Sequence, residues 1–128
     1  MGAVIYEFAS HENAELDTSR ILTLRTSLGD QRCREVIEEV VFHLSDRLGL
    51  LAAALETSDD AEAQVLATRL ASLSEQVGLA DFARVSRDLA QCIAKEDHVS
   101  VGAVAARLMR LGEESLFNVI LYADQTAL

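Results

Sequence analysis

The spacing of apolar residues between Asp30 and Glu56 constrains this chain more than any other feature. Cys33, Val36, Ile37, Val40, Val41, Leu44, Leu48, Leu51 and Leu55 recur at steps of three, four and seven. That is the period of one face of an α-helix, sustained over many turns. A strand would alternate, and few strands run so long without a break. A one-sided helix of this length needs other helices to cover its stripe. The rest of the chain can supply them. It has no proline, only 5% aromatic residues, and an apolar half drawn mostly from Ala, Leu and Val, which suits helices better than a sandwich or barrel.

The flanking segments carry their own helix signals. Asp17 or Thr18 can cap a short first helix through Ile21, Leu22, Leu24 and Arg25, stopping at Leu28-Gly29. Asp30 opens the long second helix. Thr57-Ser-Asp-Asp60 reads as a polar turn that caps a third, with Val65, Leu66, Leu70, Leu73 and Val77 facing inward. Gly78 is placed as the left-handed residue that ends it. Asp81 is expected to cap the fourth helix, which carries Phe82, Val85, Leu89, Cys92 and Ile93. After a loop at residues 95–99, Ser100 is expected to cap the fifth. Val101, Val104, Leu108, Leu111, Leu116, Val119 and Ile120 line that helix to about Tyr122, with Gly112 and Ser115 near its packed side. Short connections between long helices imply antiparallel neighbours, hence an all-α, up-down four-helix bundle with a short extra N-terminal helix. Residues 1–15 read as an irregular arm holding Val4-Ile-Tyr-Glu-Phe8, and residues 16–128 as a single bundle domain.

Charge and composition remove several functions. The net charge of −10 opposes a nucleic-acid partner and an anionic membrane surface. The longest apolar run, Leu48 to Leu55, falls far short of the roughly 20 residues of a membrane span. Glu7 and Glu12 near the start speak against a secretory signal. Cys33 and Cys92 fit no zinc or CxxC spacing and sit on apolar stripes, as small buried hydrophobes do. A reduced, cytoplasmic protein is expected. His11, His43 and His98 are scattered, so neither a metal nor a cofactor is expected, and no nucleophile elbow or phosphate loop is present.

The stretch from Leu66 to Ala90 adds a specific pattern. It reads Leu-Ala-Thr-Arg-Leu-Ala-Ser-Leu-Ser-Glu-Gln-Val-Gly-Leu-Ala-Asp-Phe-Ala-Arg-Val-Ser-Arg-Asp-Leu-Ala. This resembles the signature of the histidine-containing phosphotransfer (HPt) domain, a four-helix module that relays phosphoryl groups between receiver domains. In that family a helix reads roughly Ala-His-x-Leu-Lys-Gly, runs on to a Gly, and hairpins into a helix ending near Leu-Glu. Ala67, Leu70, Gly78, Leu79, Val85 and Leu89 fall at the matching offsets. The resemblance covers about residues 31–122 in pattern and 66–90 in motif. It implies that the short first helix lies across one end of the bundle.

The reactive residues of that family are absent. Thr68 stands at the phosphoacceptor position, Ala71 replaces the Lys, and Ser72 replaces the Gly. A hydroxyl needs a strong adjacent base to attack phosphorus, and none is evident. Glu75, two turns beyond Thr68, adds negative charge where a phosphoryl group would sit. The resemblance therefore implies a pseudo-phosphotransferase, not an enzyme. It would be a two-component signalling module that binds a receiver domain or histidine kinase without carrying phosphate. Its docking face would comprise Gln64, Thr68, Arg69, Ala71, Ser72 and Glu75, with Arg84 and Arg87 at the rim and Arg69 set to meet a receiver's acidic pocket. Two other readings remain. An unorthodox acceptor, His43 or His98, would make it an active phosphotransfer protein, although His43 reads first as a boundary residue held by Glu39. The arm and the wide stripe at residues 52–55 would instead fit a homo-oligomeric structural bundle, such as a homodimer.

Overall fold

The computed structural model describes residues 16–126, with side chains described to Tyr122; the expected N-terminal arm lies outside the described residues. Five helices follow in order: α1 (Thr18–Leu28), α2 (Asp30–Glu56), α3 (Asp60–Gln76), α4 (Ala80–Ala94) and α5 (His98–Thr126). Among the described residues there is no strand, and no helix is long and apolar enough to cross a membrane. Helices α2 to α5 pack each on the next, and α5 returns against α2, closing an antiparallel four-helix bundle. The most extensive packing joins α3 to α4.

Three turns of one kind set this topology. At the end of α2 the Asp59 amide reaches back to the Ala54 carbonyl with Ser58 left-handed. Leu79 bonds Ser74 across Gly78 in the same way, and Asp97 bonds Cys92 across Glu96. Each is a six-to-one closure around a single left-handed residue, the economical way to end one helix and start the next. The new helices are then capped. The Asp59 carboxylate accepts from the Glu62 amide at 3.2 Å and Asp97 from the Ser100 amide at 3.2 Å. Ser100 is thus not the cap of α5. It donates to Asp97 through its hydroxyl as well, at 2.6 Å, and the helix begins two residues before it, at His98. Nor does Asp81 cap α4: Leu79 holds that position without a side-chain bond, and Asp81 lies in the first turn, bonded to Arg84 at 3.1 Å. At its other end α5 runs past Tyr122 to Thr126.

The short helix α1 is a strap. Asp17 caps it through the Ser19 amide at 3.1 Å, and its own amide donates to the Gly78 carbonyl at 2.6 Å. The Arg20 guanidinium reaches the Gln76 carbonyl at 3.1 Å. Ile21 is fully buried, and the Cys33 thiol faces its carbonyl at 3.9 Å. Gly78 is required here twice over: its φ of +80° favours glycine, and a Cβ would collide with the Asp17 carbonyl oxygen.

The core joins Ile37, Leu44, Leu51, Leu70, Phe82, Val85, Leu89, Leu108 and Leu111. Gly112 faces inward, where a Cβ would come within 2.9 Å of Leu48 and 3.1 Å of Phe82. Two inward assignments fail: Val65 is exposed, and Cys92 is only half-buried, whereas Cys33 is buried. Leu22 and Ile120 are exposed as well. At residues 52–55 of α2, Ala54 is buried and Ala53 exposed.

Candidate docking face

Thr68 projects from the middle of α3 into solvent. Its hydroxyl donates to the Gln64 carbonyl at 3.0 Å, and Ser72 donates to the Thr68 carbonyl at 3.4 Å. Both hydroxyls are spent on the preceding turn, the usual fate of Ser and Thr inside a helix. Among the described residues no histidine or carboxylate is hydrogen-bonded to the Thr68 hydroxyl, so nothing there removes its proton.

Gln64, Arg69, Ser72 and Glu75 are exposed around it, as expected. Ala71 is not part of this face. It is 2% exposed, because it lies on the side of α3 that carries Ala67, Leu70 and Ser74 into the core. The Ser74 hydroxyl, also buried there, bonds the Leu70 and Ala71 carbonyls. Glu75 does not stand as an open negative charge, since the Arg87 guanidinium of α4 pairs with it. Arg84 pairs with Asp81 at 3.1 Å. Of the three arginines expected at the rim, Arg69 alone makes no ion pair among the described residues.

One residue of this face reads as core in the sequence. Val65, one turn before Thr68, is 44% exposed and lines a shallow groove of about 380 Å³ with Ala61, Gln64, Thr68 and Arg69. Its signal was present, because positions 65, 68 and 72 fall on one side of a helix while 63, 66, 67 and 70 fall on the other. The groove thus joins an apolar floor, one uncompensated guanidinium and a hydroxyl-lined edge. That set suits noncovalent recognition better than covalent chemistry.

The other candidates lie elsewhere. His43 is exposed on α2, its ring edge-on to Phe42 at 5.7 Å. Glu39 does not hold it, but pairs with Arg32 at 3.7 Å. His98 opens α5 and lines a separate pocket with Leu55, Ser58 and Asp60 at the far end of the bundle. Among the described residues no cluster of metal-binding side chains occurs.

No protein-family model matches the chain, and no curated protein matches its sequence. Its fold is similar to the crystal structure of histidine-containing phosphotransfer protein B (HptB) from Pseudomonas aeruginosa PAO1. The TM-score is 0.76 over 91% of this chain and 96% of that one, with 18% of residues identical. The bundle expected from the sequence is therefore an HPt-like fold.

Proposed function

We propose that this chain is an HPt-like signalling module of a two-component phosphorelay system. It binds a receiver domain or a histidine kinase in the cytoplasm and carries no phosphate itself. The observation that carries the reading is Thr68, which the sequence resemblance matches to the family's phosphoacceptor and which lies exposed in mid-helix with its hydroxyl bonded back to Gln64. A histidine there would be a nucleophile near neutral pH; a threonine without a base is not. What the face retains is a means of docking. Val65 offers an apolar contact, and Arg69 offers a guanidinium suited to the acidic pocket of a receiver. Ser72, exposed one turn on, is small enough to let another helix approach.

The test mixes the full chain with purified candidate receivers, with and without a phosphate mimic, and with the same receivers carrying radioactive phosphate. Binding should occur, weaken at least tenfold in Thr68→Arg and in Ser72→Trp, and transfer no label. Binding that survives both substitutions would exclude this face as the dock. A label that His43→Gln or His98→Gln abolishes would instead make the chain an active phosphotransfer protein.

A further inference from the structure

Helix α2 carries two apolar stripes. The first, through Cys33, Ile37, Val40, Leu44 and Leu51, is buried in the core. The second runs along the opposite side through Phe42, Gly49, Leu50 and Ala53, and it faces solvent, with Phe42 69% and Leu50 52% exposed. At 3.6 residues per turn these four positions share a sector of roughly 100°. The back of a bundle helix is ordinarily polar throughout.

Charge is set into this second stripe. Glu38 and Asp46 stand one turn to either side of Phe42, both exposed, Glu38 at the edge of the sector and Asp46 within it. Among the described residues α2 forms ion pairs between Asp30 and Arg25, and between Arg32 and both Glu35 and Glu39. The Arg47 guanidinium turns to the His43 carbonyl. Glu38 and Asp46 enter no ion pair among the described residues. Beyond Asp46 the surface flattens at Gly49, where an added Cβ would meet nothing within 4 Å.

We propose that this outer lane is a second docking surface, which receives a cationic amphipathic helix of a protein partner. Apolar side chains of that helix pack around the Phe42 ring, and its basic side chains meet Glu38 at the edge of the lane and Asp46 within it. From Glu38 to Ala53 the lane spans about 22 Å, the length of a four-turn helix. The unpaired carboxylates decide among occupants. A second copy of this chain, paired antiparallel about Phe42, would set Glu38 against the mate's Asp46, like charge on like. Nucleic acid and anionic lipid carry the same sign as the lane. A basic helix gains both the apolar contact and two charge pairs, with long-range attraction from the net charge of −10. The lane faces out from α2 and the groove beside Thr68 from α3, so each surface is tested independently.

The experiment titrates the full ¹⁵N-labelled chain with a synthetic helical peptide of about 16 residues, Leu on one face and Lys on its flanks, and with a Glu-for-Lys counterpart. Amide shifts should centre on residues 38–53. Affinity should fall at least tenfold in Phe42→Ser and in Glu38→Lys/Asp46→Lys, stay unchanged in Thr68→Arg, and vanish with the acidic peptide. The substituted side chains lie in water, so the variants should keep the parent melting curve, and Phe42→Lys gives a second check on the aromatic contact. No binding, shifts spread over every acidic surface, or an affinity that Phe42→Ser and Phe42→Lys both leave intact would each overturn the proposal.

Discussion

The α3–α4 hairpin and the two long helices treat large apolar residues in opposite ways. In the hairpin every one except Val65 is buried or half-buried. On α2 and α5, Phe42, Leu50, Val99, Phe117, Ile120 and Leu121 stand in solvent. The hairpin achieves its coverage with small residues. Ala63, Ala67, Ala71, Ser74, Ala83 and Ser86 are buried, which allows a close approach of the two helices and leaves little apolar area over. The long helices have more surface than their neighbours cover, because α3 and α4 span 17 and 15 residues against 27 and 29 for α2 and α5. An exposed Phe on a long helix therefore does little for folding.

The sharpest way to break that contrast is to truncate one Phe from each region. Phe82 is fully buried, and Phe82→Ala should cost about 3–5 kcal/mol, as transfer and cavity terms add. Phe42→Ala and Phe117→Ala should each stay within about 0.5 kcal/mol of the parent. Urea denaturation of the three variants measures all of this. Equal losses at Phe82 and Phe42 would mean that the exposed ring supports the fold after all.

Gly78→Ala is the next largest effect. A Cβ there meets backbone, which cannot rotate away, and the residue must keep a left-handed φ. The two costs together should be on the order of 3 kcal/mol. The loss should appear first as faster hydrogen exchange of the Asp17 amide, whose partner is the Gly78 carbonyl. If that amide exchanges as in the parent, the strap is not fastened at Gly78.

Much of this architecture is legible in the sequence, for identifiable reasons. The bounds of α1 and α2 follow from Asp17, Gly29, Asp30 and the apolar period, and the observed helices match them. Gly78 announces its own conformation. The helix starts at 80 and 98 are less legible. Asp81 and Ser100 are good capping types, but a six-to-one turn puts the first helical residue two places after its left-handed residue. That places the helix starts before both Asp81 and Ser100. Ser58 and Glu96 give no warning of a left-handed φ, because neither is Gly or Asn. At the candidate site, exposure of Thr68, Arg69 and Ser72 follows from helical phase. Phase also sets Val65 beside them and Ala71 on the buried side, but residue type misleads there, since an alanine serves either side of a helix and a lone valine reads as core. The pairing of Glu75 with Arg87 joins two helices, and no spacing along one of them reveals it.

The two non-glycine turns give a smaller, opposite prediction. Ser58→Gly and Glu96→Gly should each raise stability by about 0.5–1 kcal/mol, the left-handed penalty of a side chain less the extra chain entropy of glycine. The gain should come without change in the Thr68 face, since both turns lie at the end of the bundle away from Gly78. Thermal unfolding measures it. A loss at either site would mean that the side chain, not the backbone, holds that turn.

The smallest effect concerns the caps of α1 and α5, and its sign is fixed by two carboxyl groups. Hydrogen bonds from the Ser19 side chain hold Asp17 below its ordinary pKa of 3.8, and bonds from the Ser100 side chain do the same for Asp97. A carboxyl whose folded pKa is depressed adds stability above its unfolded pKa and loses it as pH falls through the folded value. Both contributions are therefore complete at neutral pH and disappear below about pH 4. Asn keeps the capping geometry but does not titrate. Asp17→Asn/Asp97→Asn should thus match the parent at pH 7 within experimental error and lose less stability between about pH 4 and pH 2.5. Both groups are exposed, so the difference in slope will be slight, and it belongs to the strap and to the start of α5. Chemical denaturation across that pH range reads it directly. Parallel curves for the two proteins would show that the acid sensitivity of the bundle arises elsewhere than in these two carboxyl groups.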